Sequence, residues 1–152
     1  MISSGNVLPS DALLPMLTEA IATTDGREHY FEERESGVPY LLTCDPAGYG
    51  SDGDPSAITL WNAWDRTEVM SWSGREDPGR LAGRIMAIQA AWDCDVVVES
   101  NAPACVQALM SARCPKLYHT NSAHPGFYMT ATGKSAAIVT LVEQLRQNDI
   151  HL

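Results

Sequence analysis

The feature that most constrains the fold is a change in the spacing of apolar residues at Asp77 and Pro78. Before this point, apolar residues form short runs or alternate with polar ones, as in β-strands. Asp77 is a suitable N-cap, and Pro78 suits the first position of a helix. Four large apolar residues then recur on one helix face, namely Leu81, Ile85, Ile88 and Trp92. The sequence therefore predicts a group of strands followed by a helix that packs against them.

The order of these elements along the chain predicts a mixed sheet. Residues 40–45 form an apolar strand, and residues 57–63 and 67–73 form a hairpin around a tight turn. After the helix come a strand over residues 95–99, a helix over 102–113, a short strand over 116–119 and a helix from residue 132 onward. A hairpin is antiparallel, whereas strand–helix–strand crossovers imply parallel pairing. We therefore predict an α/β fold, a mixed sheet with helices on both faces.

The first 37 residues differ from the rest of the chain. Residues 8–22 predict a short helix, because good N-cap residues precede apolar residues at helical spacing. Residues 25–37 are polar and rich in glutamate, and we interpret them as a linker or a lead-in. This divides the chain into an N-terminal helix with an acidic lead-in, residues 1–37, and a main domain, residues 38–152.

The composition is that of one soluble globular domain. The chain has 152 residues, of which 45% are hydrophobic and 19% are charged. No window approaches the length of an apolar membrane span, and the first residues lack the pattern of a signal peptide. Cysteines occur at four widely spaced positions, Cys44, Cys94, Cys105 and Cys114. We expect reduced, buried thiols in a cytoplasmic protein without a membrane partner.

The net charge of −9 argues against binding nucleic acid through bulk electrostatics. Such binding needs lysine and arginine to displace counterions from phosphates. Residues 25–54 carry eight carboxylates against two arginines, so this segment alone has a net charge of −6. These carboxylates form either a solvated face or a cation site. If they bind metal ions, the metal supplies the positive charge, and we expect DNA binding to depend on it.

Two of the predicted strands end in a carboxylate, Asp45 in the first strand and Glu99 in the fourth. In open α/β sheets, reactive groups gather at the carboxyl ends of strands. If these two strands are neighbours, their acids repel each other unless one is protonated or a cation lies between them. Carboxylate oxygens favour Mg²⁺ or Mn²⁺. The alternative is that Asp45 caps a turn and Glu99 pairs with an arginine.

Three segments resemble the C-terminal nuclease domain of large terminase subunits, the DNA-packaging motors of tailed phages. Residues 45–48 (Asp-Pro-Ala-Gly) and 53–58 (Gly-Asp-Pro-Ser-Ala-Ile) resemble its opening strand and loop. Residues 96–101 (Val-Val-Val-Glu-Ser-Asn) are similar to its second acidic strand, and residues 126–134 to the segment that enters a helix through a lysine. The resemblance implies a ribonuclease H-like fold for residues 38–152, in agreement with the predicted element order.

The resemblance also implies an activity, a two-metal endonuclease that cuts double-stranded DNA. It makes Asp45 and Glu99 the ligands of Mg²⁺ or Mn²⁺ and Asp54 an accessory catalytic acid near the metals. It gives Lys134 a contact with DNA phosphate, although a lysine that caps the preceding loop is the alternative. The implied partners are double-stranded DNA, a terminase motor domain, the small terminase subunit and the portal. The implied location is the cytoplasm of the bacterial host cell.

This chain departs from the family pattern in two places. The family has Asn-Gly-x-Gly after its second acid, whereas residues 101–104 read Asn-Ala-Pro-Ala. The family also has a third metal-binding acid well downstream of the lysine-led helix, and no counterpart occurs before Leu152. We therefore expect a domain truncated at its C-terminal end, whose activity is in question. The alternative is a catalytically silent prophage remnant that acts as a binding or structural module.

Residues 132–135 (Thr-Gly-Lys-Ser) imitate part of a nucleotide-binding loop. The full G-x-x-x-x-G-K-[ST] pattern requires glycine at the position of Tyr128, and no apolar strand precedes the segment. We therefore predict no ATP binding. For the tryptophans we predict packing in the core or the hairpin, with base stacking on the hairpin as the alternative. They are Trp61, Trp64, Trp72 and Trp92.

Overall fold

The computed structural model describes residues 20–24, 26–47 and 54–147. Six strands form its main sheet: β1 (Ala22–Thr24), β2 (Glu28–Tyr30), β3 (Tyr40–Asp45), β4 (Ser56–Asn62), β5 (Glu68–Gly74) and β6 (Asp95–Val98). They lie in the order β1-β2-β5-β4-β3-β6. Strand β3 pairs antiparallel with β4 and parallel with β6, while β4 and β5 form the predicted hairpin. The predicted mixed α/β sheet is confirmed.

One face of the sheet carries the hydrophobic core. Along β3, Tyr40, Leu42 and Cys44 are buried, while the residues between them are half-buried or exposed. This alternation follows from the two-residue repeat of a strand. Helices α1 (Pro78–Trp92) and α2 (Pro103–Ser111) pack against each other and contribute to the same core. The residues of β3 and β4 that point away from the core are half-buried or exposed, and Asp45 is the last of them on β3.

Helix α1 begins where the local sequence predicts. The Asp77 carboxylate accepts hydrogen bonds from the backbone N–H groups of Gly79 and Arg80, at 3.0 and 3.1 Å. Pro78 occupies the first helical position, where its missing N–H costs nothing. The helix ends at Asp93, whose left-handed backbone stops the repeat. Its buried face includes all four predicted residues, Leu81, Ile85, Ile88 and Trp92.

Strand β2 lies within residues 25–37, the segment that we interpret from the sequence as a linker or lead-in. Glu28–Tyr30 belong to the main sheet and pair antiparallel with β5. Glu28 is only 8% exposed, and its carboxylate accepts a hydrogen bond of 2.8 Å from Arg84 of α1. This ion pair lets an acidic residue occupy a strand, because the charge is compensated where it is buried. Most of the predicted helix over residues 8–22 lies outside the described residues, which begin at residue 20. Its last residue, Ala22, is the first residue of β1.

The C-terminal part of the described chain runs alongside β6. Residues Leu117 and Phe127 form parallel bridges to Val96 and Glu99. Between them lies a small hairpin of β7 (His119–Asn121) and β8 (His124–Pro125). The strand predicted over residues 116–119 corresponds to the single bridge of Leu117 with Val96 and overlaps β7 only at His119. Helix α3 (Ala131–Gln147) follows, as predicted. None of the described helices combines the length and the apolar character needed to cross a membrane.

The cysteines and tryptophans follow their predictions in part. All four cysteines are free thiols, and three of them are buried. Trp72 and Trp92 are buried in the core, as predicted. Trp61 is half-buried and donates a hydrogen bond of 3.2 Å to the Thr43 hydroxyl. Trp64 is 69% exposed in the turn between β4 and β5. Of the four tryptophans it is therefore the most accessible to a stacking base.

Candidate metal centre

Strands β3 and β6 bring Asp45 and Glu99 to the same end of the sheet. Their parallel register places Cys44 opposite Val98, and the Glu99 N–H donates a 2.9 Å hydrogen bond to the Cys44 carbonyl. The two acids follow at the next position of each strand. Because side chains alternate along a strand and Cys44 and Val98 point into the core, both acids lie on the opposite face. The first and fourth predicted strands are therefore neighbours, the condition under which the sequence placed their acids together.

The two acids line a shallow cavity of about 250 Å³. Phe127 borders it, as do three residues of the half-buried sheet face, Thr43, Thr59 and Val97. This position follows from the topology, since β3 lies between β4 and β6 and its end is flanked by both. The cavity is open enough to admit a ligand and has two carboxylates at its edge.

The carboxyl groups of Asp45 and Glu99 interact directly. Desolvation raises the pKa of Glu99, and a hydrogen bond with Asp45 and the negative charge of Asp45 raise it further. The positive charge of Lys134 acts in the opposite direction. The repulsion between two neighbouring carboxylates is relieved either when they share a proton or when they bind a cation. The pair is therefore electrostatically suited to a cation.

Lys134 lies in the first turn of α3, where a positive charge is unfavourable with respect to the helix dipole. Its positive charge also attracts the Glu99 carboxylate. Thr130 provides the cap of this helix, since its hydroxyl accepts a 3.0 Å hydrogen bond from the Gly133 N–H. Capping therefore does not require Lys134, and its positive charge lowers the pKa of Glu99.

Asn101 is a residue to which the sequence analysis assigned no role. Its side-chain amide Nδ2 donates to Glu99 Oε1 at 2.7 Å and to the Met129 carbonyl at 3.1 Å. The sequence signals for this residue are its position two residues beyond the strand-end acid and its place in the segment that resembles the terminase nucleases. The Met129 carbonyl lies 28 residues further along the chain, so the contact depends on the tertiary structure.

Asp54 lies in a different cavity from the acidic pair. It is exposed, and it lines a larger cavity of about 660 Å³ together with Asp77, Asn101 and Cys105. Asn101 borders this cavity and also contacts Glu99, so the two regions adjoin. Among the predicted site residues, the structure thus brings together Asp45 and Glu99, and the contact of Lys134 with DNA stays a prediction. The role of Asp54 as an accessory acid stays a prediction.

The donor set at the acidic pair suits Mg²⁺ or Mn²⁺. Among the described residues, no group of three or more histidine, cysteine, aspartate or glutamate side chains could hold a metal ion. Mg²⁺ is commonly bound by one or two carboxylates, and water and substrate phosphate complete its octahedral shell. Two neighbouring carboxylates, one with a raised pKa, fit that mode of binding.

Comparison with known proteins finds similar structures but no similar sequences. No protein-family model and no curated protein matches the sequence. The crystal structure of the large terminase nuclease from thermophilic phage G20c matches with a TM-score of 0.67 and 13% identity, over 90% of this chain and 70% of that chain. The nuclease domain of the Thermus phage P74-26 large terminase matches with a TM-score of 0.63 and 14% identity, over 90% and 67%.

This chain has the fold of the large terminase nucleases. The predicted resemblance and the ribonuclease H-like architecture are thereby confirmed. The G20c nuclease has also been solved with bound magnesium, cobalt and zinc. Its zinc-bound form matches this chain with a TM-score of 0.69 and 13% identity, over 97% of this chain and 80% of that chain. Divalent cations are therefore found in structures with this fold.

Proposed function

We propose that this chain is a metal-dependent endonuclease domain of the large-terminase type, which hydrolyses phosphodiester bonds in double-stranded DNA. The observation that carries the proposal is the meeting of Asp45 and Glu99 at the carboxyl ends of two adjacent parallel strands. Carboxylates at this position of an α/β sheet are suited to binding and catalysis. The likeness in fold to terminase nucleases solved with divalent cations supports the same conclusion.

In this mechanism, Asp45 and Glu99 hold Mg²⁺ or Mn²⁺ through their carboxylate oxygens. When bound, such ions lower the pKa of coordinated water and offset the charge of the scissile phosphate. Lys134 supports the binding of DNA, because its positive charge acts on Glu99 and would attract a phosphate bound at the site. Asp54 serves as an accessory acid on the approach from the adjoining cavity.

The partners we propose follow from the same assignment. Double-stranded DNA is the substrate, and a terminase motor domain, the small terminase subunit and the portal are the protein partners. The proposed location is the cytoplasm of the bacterial host cell, where packaging takes place.

A catalytically silent binding or structural module is the second candidate function. It is favoured by one observation, that the described residues supply no third metal-ligating side chain beside Asp45 and Glu99. In this case the chain retains the fold and binds a partner, but two carboxylates do not hold the metal firmly enough for catalysis.

Plasmid nicking in Mn²⁺ separates the two candidates. We expect the native chain to nick supercoiled DNA, and both Asp45→Asn and Glu99→Gln to abolish nicking. Asp95→Asn is the matched control, because Asp95 is an exposed acid at the opposite end of β6. It should cut at the native rate. Inactivity of the folded native chain, or nicking by Asp45→Asn at the native rate, would contradict the nuclease assignment.

A further inference from the structure

We propose that Asn101 is a positioning residue, which orients the Glu99 carboxylate for metal binding and couples it to the segment that carries Lys134. The inference rests on the proposed metal site at Asp45 and Glu99. It assigns a role to a side chain that touches neither the metal nor the DNA in the proposed mechanism. Its basis is the pair of hydrogen bonds that the Asn101 amide makes.

The orientation of the Asn101 amide is determined by its partners. A carboxylate oxygen and a backbone carbonyl oxygen are both acceptors, so only the NH₂ end of the amide can face them. The two hydrogens of this group are matched to Glu99 Oε1 at 2.7 Å and to the Met129 carbonyl at 3.1 Å. The oxygen of the amide therefore points elsewhere, and the nitrogen has no hydrogen left for a third acceptor.

This contact restrains the Glu99 carboxylate without neutralising it. The terminal torsion of a glutamate side chain is broad, so a carboxylate with no fixed partner rotates freely. The Asn101 amide holds Oε1, and the second carboxylate oxygen receives no hydrogen bond from Asn101. A lysine or arginine in this position would bring a positive charge that competes with the cation. A neutral donor avoids this competition.

The same amide extends the backbone pairing of β6. The Phe127 N–H donates to the Val98 carbonyl, and the Ser100 N–H donates to the Phe127 carbonyl, both at 2.8 Å. The Asn101 side chain continues this series by binding the carbonyl of Met129. Two residues later α3 begins, with Lys134 in its first turn. Asn101 therefore joins the acid of the proposed site to the segment that positions its lysine.

Mn²⁺ affinity measured by calorimetry in the absence of DNA tests this role. Removing an outer hydrogen-bond partner of a metal ligand typically lowers metal affinity by about 10- to 100-fold. We expect a loss of this size in Asn101→Ala, and nicking that is restored in part by higher Mn²⁺ concentrations. Asn121→Ala is the control, because Asn121 also stabilises a turn through its side chain but lies in the β7–β8 hairpin. It should bind Mn²⁺ with native affinity.

The possible outcomes separate this inference from the proposed function. If the native chain binds no Mn²⁺, the metal site itself is contradicted. If the native chain binds Mn²⁺ and Asn101→Ala binds it equally well, only the role of Asn101 is overturned. Should Asn101→Ala be unfolded at the assay temperature, Asn101→Ser takes its place. A serine keeps a polar residue in the turn but cannot donate to both acceptors, so the same loss of affinity is expected.

Discussion

At the scale of single residues, the acidic pair is a source of instability as well as the proposed metal site. Glu99 has a raised pKa because of desolvation and because Asp45 lies beside it. A raised pKa in the folded state means that folding favours the protonated form of Glu99. Above that pKa the ionised pair therefore opposes folding, and its cost is relieved as the pH falls through the raised value.

Asp45→Asn should accordingly raise the Tm of the metal-free protein at pH 7. The substitution removes the negative charge that acts on Glu99, so the pKa of Glu99 moves back toward its ordinary value. The same substitution should abolish the increase in Tm that Mn²⁺ produces in the native chain. Differential scanning calorimetry with chelator and with Mn²⁺ measures both effects. A lower Tm for the metal-free variant would contradict this account of the pair.

The sequence predicted this pair of residues, but it did not predict how they are held. Asp45 and Glu99 could be found because each ends an apolar strand. Asn101 could not, because its two partners are defined by the carboxylate rotamer of Glu99 and by a carbonyl of a distant segment. Hydrogen bonds of this kind leave no pattern in the composition or the periodicity of a chain.

At the scale of the elements, Gly126 determines how closely the C-terminal segment approaches β6. Its φ of +81° lies in the left-handed region, which favours glycine. A Cβ added here would lie 2.7 Å from the Val98 carbonyl oxygen, closer than a real Cβ contact allows. The next residue, Phe127, forms the bridge to Glu99. Glycine at this position therefore permits the segment to lie against the proposed site.

Gly126→Ala and Gly83→Ala should change stability in opposite directions. The first adds backbone strain and a steric clash, and left-handed strain in a non-glycine residue costs about 1–3 kcal/mol by itself. The second adds a methyl group in the middle of α1, where no atom outside the local helix backbone lies within 4 Å. In a helix interior alanine is more stable than glycine by about 0.5–1 kcal/mol. Urea unfolding of both variants measures the free energies, and equal signs would contradict the prediction.

At the scale of the whole molecule, charge limits how the chain can bind DNA. A net charge of −9 repels phosphate, and the proposed site is itself a pair of carboxylates. Binding through counterion release depends on lysine and arginine, which number only 10 in the whole chain against 19 aspartates and glutamates. A divalent cation at the acidic pair neutralises the negative charge of the two carboxylates where the phosphate must lie.

DNA binding should therefore require a divalent cation. Fluorescence anisotropy of a labelled duplex should report binding in Mg²⁺ and little or none in chelator at the same ionic strength. The double variant Asp45→Asn/Glu99→Gln is the control for Mg²⁺ bound elsewhere, and it should lose the Mg²⁺-dependent part of the binding. Tight binding of DNA by the native chain in chelator would contradict the prediction.

The sequence by itself determined the elements whose signals are local. The helix at Pro78 was predictable because its cap and its apolar face lie within a few turns of each other, and the hairpin because its strands are joined by a short turn. The strand-end acids were predictable for the same reason. A short stretch of residues decides each of these features through backbone hydrogen bonds and the spacing of side chains.

Only the tertiary structure decided the features that depend on distant partners. Strand β2 pairs with β5 in the main sheet, and its buried Glu28 is compensated by Arg84, 56 residues later, whereas the charge of the segment by itself indicates a solvated region. The pairing of β3 with β6 brings Asp45 to Glu99 across a hairpin and a helix. The proposed role of Asn101 depends on the tertiary structure, which places the Met129 carbonyl within hydrogen-bond distance of its side chain. Each of these contacts is fixed by packing between segments, and local sequence carries no information on which segments will meet.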